Sequence, residues 1–473
     1  MEIRFIVLRS RLSSGFVDSS LKHLLTQHPD ILVLRIRRSS CTDEGLQNIL
    51  CLGQNLSHIQ LERSKVTGDG LRTPGQSDKR LHLKELALGS NPGLTDSGLK
   101  NIASYIQTDM LETMDLSSCI KISETGFISL LKCVGGGLKS LNMSKLRFSL
   151  SEVVNLTTYL SNLEDLDTSG CYIIGENSFI SLINIVGDRL KKLNMSDLDI
   201  SLSEIGSLNT TLSNLEDLDM SDCYNIGETS FISFLNIAGE KPKRLNLSRL
   251  RISLIDVDSL TTALPNLEDL DLSMCRKFKE THFISFLNIV GGVLKRLTMK
   301  GLCITLSEVG TLTTPLCQLE ELDVSSCRMI SEIGFISMLN IIGDRLRIPN
   351  MKYLKISLSV VGSLTTSLSR LTDLDISGCN RVSKPALIAL LNIAGGLKRL
   401  NMKGLDISLS EGDSLTTTLS NLSMICNSIR VLSIQSANLV IIFACGAVRP
   451  QAYVFLAYFS EMADLLDKRH AYS

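Results

Sequence analysis

Tryptophan is absent from this 473-residue chain, and aromatic residues make up only 5% of it. A large enzyme with a single core ordinarily fills its interior with such rings, so the composition points instead to thin, stacked aliphatic layers. Net charge is also nearly lacking. Lys and Arg number 48 against 49 Asp and Glu, which leaves no overall field to attract a phosphate backbone and argues against nucleic acid as the main partner. The apolar run Leu439 to Val448 stops at Arg449-Pro450, about half the length of a membrane span, and no membrane association is expected. The six histidines do not pair with cysteine or carboxylate at a spacing that suits a metal or an activated nucleophile. The amino terminus, Met1-Glu2-Ile3-Arg4-Phe5, places an acid first and is too briefly apolar for a signal peptide, so a reducing setting, cytoplasmic or nuclear, is expected.

What the chain does have is self-similarity. Cys119, Cys171, Cys223, Cys275, Cys327 and Cys379 recur every 52 residues, and Phe127, Phe179, Phe231, Phe283 and Phe335 keep the same step, with Leu387 in the sixth place. Each long unit splits into halves of 27 and 25 residues. Leu163, Leu166, Thr168 and Cys171 open one half as LxxLxLxxC; Leu190, Leu193, Met195 and Leu198 open the next as LxxLxLxxL. Such short alternation specifies a strand with one buried face, and its recurrence every 25 to 27 residues stacks the strands in parallel. Segments such as Ile174-Gly175-Glu176-Asn177-Ser178-Phe179 then lead into apolar residues at helical spacing. In the shorter halves Ser149-x-x-Glu152, Ser201-x-x-Glu204, Thr305-x-x-Glu308 and Ser408-x-x-Glu411 have the form of a capping box, which predicts a second helix per unit.

These residues carry a resemblance. Cys41-Thr42-Asp43-Glu44-Gly45-Leu46, Val66-Thr67-Gly68-Asp69-Gly70-Leu71 and Leu94-Thr95-Asp96-Ser97-Gly98-Leu99 resemble the I-T-D-x-G-L signature of cysteine-containing leucine-rich repeats, as in the substrate-receptor arms of F-box proteins. The resemblance covers roughly residues 31–428 and implies an α/β leucine-rich-repeat solenoid: a curved parallel sheet lining the concave side, with short convex helices outside, in about sixteen repeats. Residues 1–30 read as a degenerate first repeat or cap, with Ile3, Ile6 and Leu8 as its strand, and they are too few to hold the helical F-box that such receptors carry ahead of the repeats. Residues 429–473 read as a C-terminal cap: Ile429, Leu432 and Ile434 form a last strand, the run Leu439 to Val448 a strand or helix, and Ala452 to Lys468 an amphipathic helix.

Chemistry is sparse. The periodic cysteines sit under the strands two rungs apart, roughly 10 Å, too far for disulfides or a shared metal. Gly135-Gly136-Gly137-Leu138-Lys139-Ser140 looks like a phosphate loop until it is aligned with Gly187-Asp188-Arg189-Leu190-Lys191-Lys192, where the glycines end a helix and the lysine starts a strand. Carboxylates recur with the repeat rather than converging once, so neither an enzyme nor a cofactor is expected. The expected partners are other proteins, bound by the concave face; oligomeric state is not legible. Along that face Asp165, Lys192, Asp217, Arg244, Asp269, Arg296 and Glu321 alternate in sign from strand to strand. Ile348 replaces the next charge, Pro349 interrupts the strand, and Met274 and Tyr353 stand at late strand positions that are otherwise small or charged. With Arg296, Lys300, Arg328 and Lys352 they form the candidate partner-binding patch. The resemblance implies substrate recognition within an SCF-type ubiquitin ligase. The alternative is a ligand-sensing array similar to the repeat region of intracellular immune receptors, which the near-identity of Phe231-Ile232-Ser233-Phe234 and Phe283-Ile284-Ser285-Phe286 favours.

Overall fold

The structure, a computed structural model, describes residues 5–9, 14–75, 79–107 and 110–407, positions 414, 415 and 418, and three further strands between 431 and 458. The chain divides into two compact units, Met1–Pro242 and Lys243–Ser473. In the first, strands β1 (Phe5–Arg9), β2 (Val33–Arg37), β3 (His58–Glu62), β4 (Glu85–Ala87), β5 (Thr113–Asp115), β6 (Ser140–Asn142), β7 (Asp165–Asp167), β8 (Lys192–Asn194) and β9 (Asp217–Asp219) pair in parallel, each with the next in sequence. In the second, β10 (Arg244–Asn246), β11 (Asp269–Asp271), β12 (Arg296–Thr298), β13 (Glu321–Asp323), β14 (Ile348–Asn350), β15 (Asp373–Asp375), β16 (Arg399–Asn401) and β17 (Val431–Ser436) do the same. β17 then pairs antiparallel with β18 (Leu439–Ile442), and β18 with β19 (Phe455–Tyr458). The sequence predicts a helix across 455–458; a strand stands there instead, and the rest of that predicted helix lies outside the described residues.

From β5 onward each three-residue strand buries its central residue and turns the flanking two outward, as Leu166 between Asp165 and Asp167 shows. Leu163, Leu166, Thr168 and Cys171 are all at most 1% exposed, so the LxxLxLxxC alternation is the inner face of the sheet. The longer halves continue into helices of 11 residues at Glu124–Val134, Glu176–Val186, Glu228–Ala238, Glu280–Val290 and Glu332–Ile342. In each, residues at i, i+1, i+3, i+4 and i+7 from the phenylalanine are buried, the stripe that packs a helix on a sheet.

The shorter halves depart from the expected helix. They hold only a 3-10 turn of three or four residues, at Val153–Leu156, Ile205–Ser207, Val309–Thr311 and Val361–Ser363. The hydroxyl expected to cap its own helix is committed backwards. Thr305 Oγ1 donates to Glu280 Oε2 (2.5 Å), and the Glu308 amide donates to Glu280 Oε1 (2.6 Å). Ser201 and Glu204 treat Glu176 alike (2.6 Å each), as Ser149 and Glu152 treat Glu124 (2.9 and 2.7 Å). With the capping groups spent and Ser, Thr, Asn and Gly following, nothing favours a longer helix. Ser408 and Glu411 lie outside the described residues. Near the amino terminus an aspartate does the glutamate's work: Asp43 accepts from the amides of Thr67 (2.8 Å), Gly68 (2.8 Å) and Gly70 (2.9 Å). The carboxylate at the helix start thus ties each repeat to the one after it.

Each periodic thiol donates to a carbonyl of the preceding rung, as Cys223 to Met195 O (3.0 Å) and Cys275 to Leu247 O (3.0 Å). Burial pushes the thiols of Cys119, Cys171, Cys223, Cys275 and Cys327 up to about 12, and that of Cys379 to about 11. Thiolate, not thiol, reacts with alkylating agents. In the native protein iodoacetamide is therefore expected to modify the exposed Cys133, Cys303 and Cys317 and to reach these six only after denaturation. Peptide mass spectrometry reads the order, and early labelling of Cys223 would contradict the packing.

Candidate protein-binding surface

The outward residues of the strands form ladders of opposite charge. Arg296 donates through Nε (2.9 Å) and Nη2 (2.7 Å) to Asp269, its registered neighbour, and Arg399 pairs with Asp373. One residue earlier runs a second ladder that the sequence reading overlooked: Lys139–Glu112 (3.0 Å), Lys191–Glu164 (2.8 Å), Lys295–Glu268 (3.0 Å) and Arg347–Glu320 (3.4 Å). Its signal was present, since these residues keep the 52-residue step. At the third strand position Asp alternates with Asn, except on β12, where Thr298 stands between Asp271 and Asp323. Asn350 Nδ2 donates to Asp323 (2.8 Å) and Asn401 Nδ2 to Asp375 (2.8 Å), so that carboxylates never face each other on adjacent rungs. Each of these Asp and Asn side chains also accepts the amide two residues on, as Asp271 does from Ser273 (2.7 Å), turning the chain out of the strand.

That turn ends on a residue in the left-handed conformation. In the second unit this position is Arg249, Met274, Gly301, Ser326, Tyr353, Gly378 and Gly404, with φ between 57° and 76°. Glycine is there for two reasons. It adopts positive φ without strain, and it makes room, because a Cβ at Gly301 would strike the Met274 side chain and one at Gly378 the Tyr353 ring. Met274 and Tyr353 each lie across the next rung's glycine. They are three rungs apart, ~14 Å at the usual strand spacing.

Ile348 interrupts the first charge ladder on β14, registered against Glu321 on one side. Pro349 keeps the β13 register, Leu322↔Pro349, but toward β15 only Asn350↔Asp375 remains of the three pairs found between other neighbours. In this ladder the central strand residue donates toward the following strand, and proline has no such donor. The flanking bonds survive: Asp373 donates to Arg347 O (3.1 Å) and Met351 to Asp375 O (2.7 Å). Beneath Pro349 lies an apolar void of about 10 Å³ beside Phe335, Met351 and Leu374. Above it, Ile348, Pro349 and Asn350 of β14 line a shallow depression of about 510 Å³ with Asp373 and Asp375 of β15 and Arg399, Asn401 and Lys403. At its edge Lys352 pairs with Asp375 (3.0 Å), and Tyr353 is 60% exposed. Burial pushes the Asp375 carboxyl up, but bonds from Ser377 and Lys352 outweigh it and hold the group below the ordinary range.

Of the residues singled out in the sequence, Ile348 lines this depression and Lys352 is tied to it through Asp375, while Tyr353, in the turn after β14, lies against Gly378. Arg296 is bound in its ion pair on β12, Met274 is half-buried against Gly301, and Lys300 and Arg328 are exposed in the turns that follow β12 and β13. Among the described residues no group of three His, Cys, Asp or Glu side chains is placed to hold a metal ion, and no helix is long and apolar enough to cross a membrane.

A family model for the leucine-rich repeat matches residues 81–103. Leu81, Leu83, Leu86, Leu88, Leu94 and Leu99 of that segment are all at most 2% exposed, and Asn91, at the cysteine's place, donates to Leu61 O (2.7 Å) in the preceding rung as the thiols do. Each unit has the fold of a leucine-rich-repeat solenoid. The chain's leucine-rich repeats are similar in fold to a chain of the yeast Rad7 and Elc1 complex, at 18% identity and a TM-score of 0.48, over 84% of this chain and 81% of that one. No curated protein matches the sequence.

Proposed function

We propose that this leucine-rich-repeat solenoid is a non-catalytic protein-recognition scaffold that holds its partner on the strand face of the second unit, with Ile348 and Tyr353 as anchors. The observation that carries the reading is the break in an otherwise self-neutralised surface: an apolar side chain in a charge ladder, beside a depression and an exposed tyrosine. Apolar and aromatic anchors in a setting that excludes water carry most binding energy, while paired rim charges contribute little.

The finer reading is a substrate receptor of a ubiquitin ligase, acting in the cytoplasm or nucleus, where the cysteine ladder stays reduced. The support for it is the resemblance of the Thr42-Asp43 and Thr95-Asp96 repeats to those of F-box receptors. Affinity capture from cell lysate with the intact chain, beside a variant carrying Ile348→Asp and Tyr353→Ala, tests both levels. A specific partner is expected to be lost about tenfold or more in the variant, whose circular dichroism and melting should match the parent. Recovery of ligase adaptor subunits supports the finer reading. Equal recovery of every partner by both proteins overturns the patch.

A further inference from the structure

The nearly neutral whole conceals a division of charge. Residues 1–242 hold 23 Lys and Arg against 29 Asp and Glu, whereas residues 243–407 hold 21 against 15. In the second unit the excess is concentrated in one place. The seven segments that leave the strands, 247–254, 272–279, 299–306, 324–331, 351–358, 376–383 and 402–407, carry eleven basic residues and one acid, Asp406. All eleven except the half-buried Lys352 are exposed. The five segments of the first unit at the same 52-residue step, 116–123, 143–150, 168–175, 195–202 and 220–227, carry three bases, Lys121, Lys145 and Arg147, and three acids, Asp197, Asp199 and Asp222.

The repeat does not require this. Directly after the periodic buried cysteine, the first unit has Ile120, Tyr172 and Tyr224, and the second has Arg276, Arg328 and the neutral Asn380. These positions point away from the core in both units, so the change from apolar to basic alters the surface and not the packing. Six of these charges are not neutralised locally, in contrast to the paired ladders of the strand face. Arg276, Lys277, Lys300, Arg328, Lys355 and Lys403 have no acidic partner among the described residues. Seven rungs at the usual spacing extend ~29 Å, the reach of about nine residues of extended chain.

We infer that this edge of the second unit is a docking rim for an acidic segment of a partner protein. A polypeptide fits better than a nucleic acid. Binding to single strands relies on a row of aromatic platforms, and among these segments Tyr353 is the lone exposed aromatic. A protein with a net charge of −1 also lacks the general attraction to a long polyanion that a short acidic segment does not need. The inference rests on the chain being a protein-binding solenoid but not on the Ile348–Tyr353 patch.

The test is fluorescence anisotropy with the full chain and labelled twelve-residue probes: poly-glutamate, a neutral Gly-Ser peptide and oligothymidylate. Poly-glutamate should bind at least about tenfold more tightly than the neutral peptide and weaken as salt rises. Arg276→Glu, Lys277→Glu and Arg328→Glu together should abolish that preference; if the triple variant melts early, the same three positions changed to Gln decide the matter. Ile333→Ala, on a helix and outside the seven segments, should leave poly-glutamate binding within about twofold. A preference for poly-glutamate that the rim variants lose, combined with unchanged partner capture by Ile348→Asp with Tyr353→Ala, would overturn the patch and leave the rim. Equal poly-glutamate binding by parent and rim variants, or tighter binding of oligothymidylate, overturns the rim.

Discussion

Replacing Phe283 by alanine is expected to lower the stability of the chain by ~3–5 kcal/mol, the usual cost of deleting a buried phenylalanine ring. Phe283 is 0% exposed and sits in the helix Glu280–Val290 with Phe286 and Leu287, also fully buried. The cavity cannot be filled by collapse, since the rungs on either side are held in register by the strands. Because a solenoid is stabilised by each repeat and its nearest neighbours, the loss should also broaden the urea transition as the cooperativity between neighbouring repeats weakens. Ile333→Ala is the control: Ile333 is 74% exposed on the next such helix and should shift the midpoint hardly at all. A Phe283→Ala protein within ~1 kcal/mol of the parent would mean that the helices do not carry the core.

The second large effect belongs to Glu280. Its carboxylate accepts from Thr305 N (2.9 Å), Thr305 Oγ1 (2.5 Å), Ser307 Oγ (3.3 Å) and Glu308 N (2.6 Å). Glu280→Ala leaves two backbone amides without their charged acceptor and should cost ~2–4 kcal/mol. The same contacts set a pH dependence. Burial pushes the carboxyl up, but the amide of Glu308 and the donors on Thr305 outweigh it, and the group titrates below its ordinary range. Glu176 and Glu332 are shifted in the same direction by equivalent bonds. A folded value below the unfolded one, about 4.3 for glutamate, means that the stabilisation is complete above that pH and is lost as pH falls through the lower folded value. Urea midpoints of the parent should therefore fall as pH drops below ~4.3, and those of Glu280→Gln should fall less. Parallel curves for the two proteins would show that the carboxylate is not the bridge.

The repeat itself was legible because its step is rigid. Leu166, Leu193 and Leu218 each must fill one rung of the same sheet, so their spacing reports the architecture directly. The short-half helix was misread because Ser201-x-x-Glu204 has the same spacing whether the serine caps its own turn or donates to Glu176, a residue in the repeat before. Linear spacing does not distinguish the two. Tyr353 and Met274 stood out as unusual residues, but their left-handed backbone was visible only through the glycines at 301 and 378, which occupy the same place in other copies. The basic rim escaped notice because a net charge of −1 sums over two halves of opposite sign. Pro349 was read correctly as removing a ladder donor, and the pairing it removes is on the β15 side.

We propose above that this solenoid holds another protein on the strand side of its second unit. Hydroxyl-radical footprinting of the full chain, free and with a captured partner, tests it most directly. Tyr353 and Met329 react readily when free, being 60% and 57% exposed, and Ile333 on a helix of the same unit serves as reference. Bound partner is expected to slow oxidation of Tyr353 and Met329 and to leave Ile333 unchanged. Protection of Ile333 with Tyr353 and Met329 still freely oxidised would place the partner on the helices and contradict the proposal.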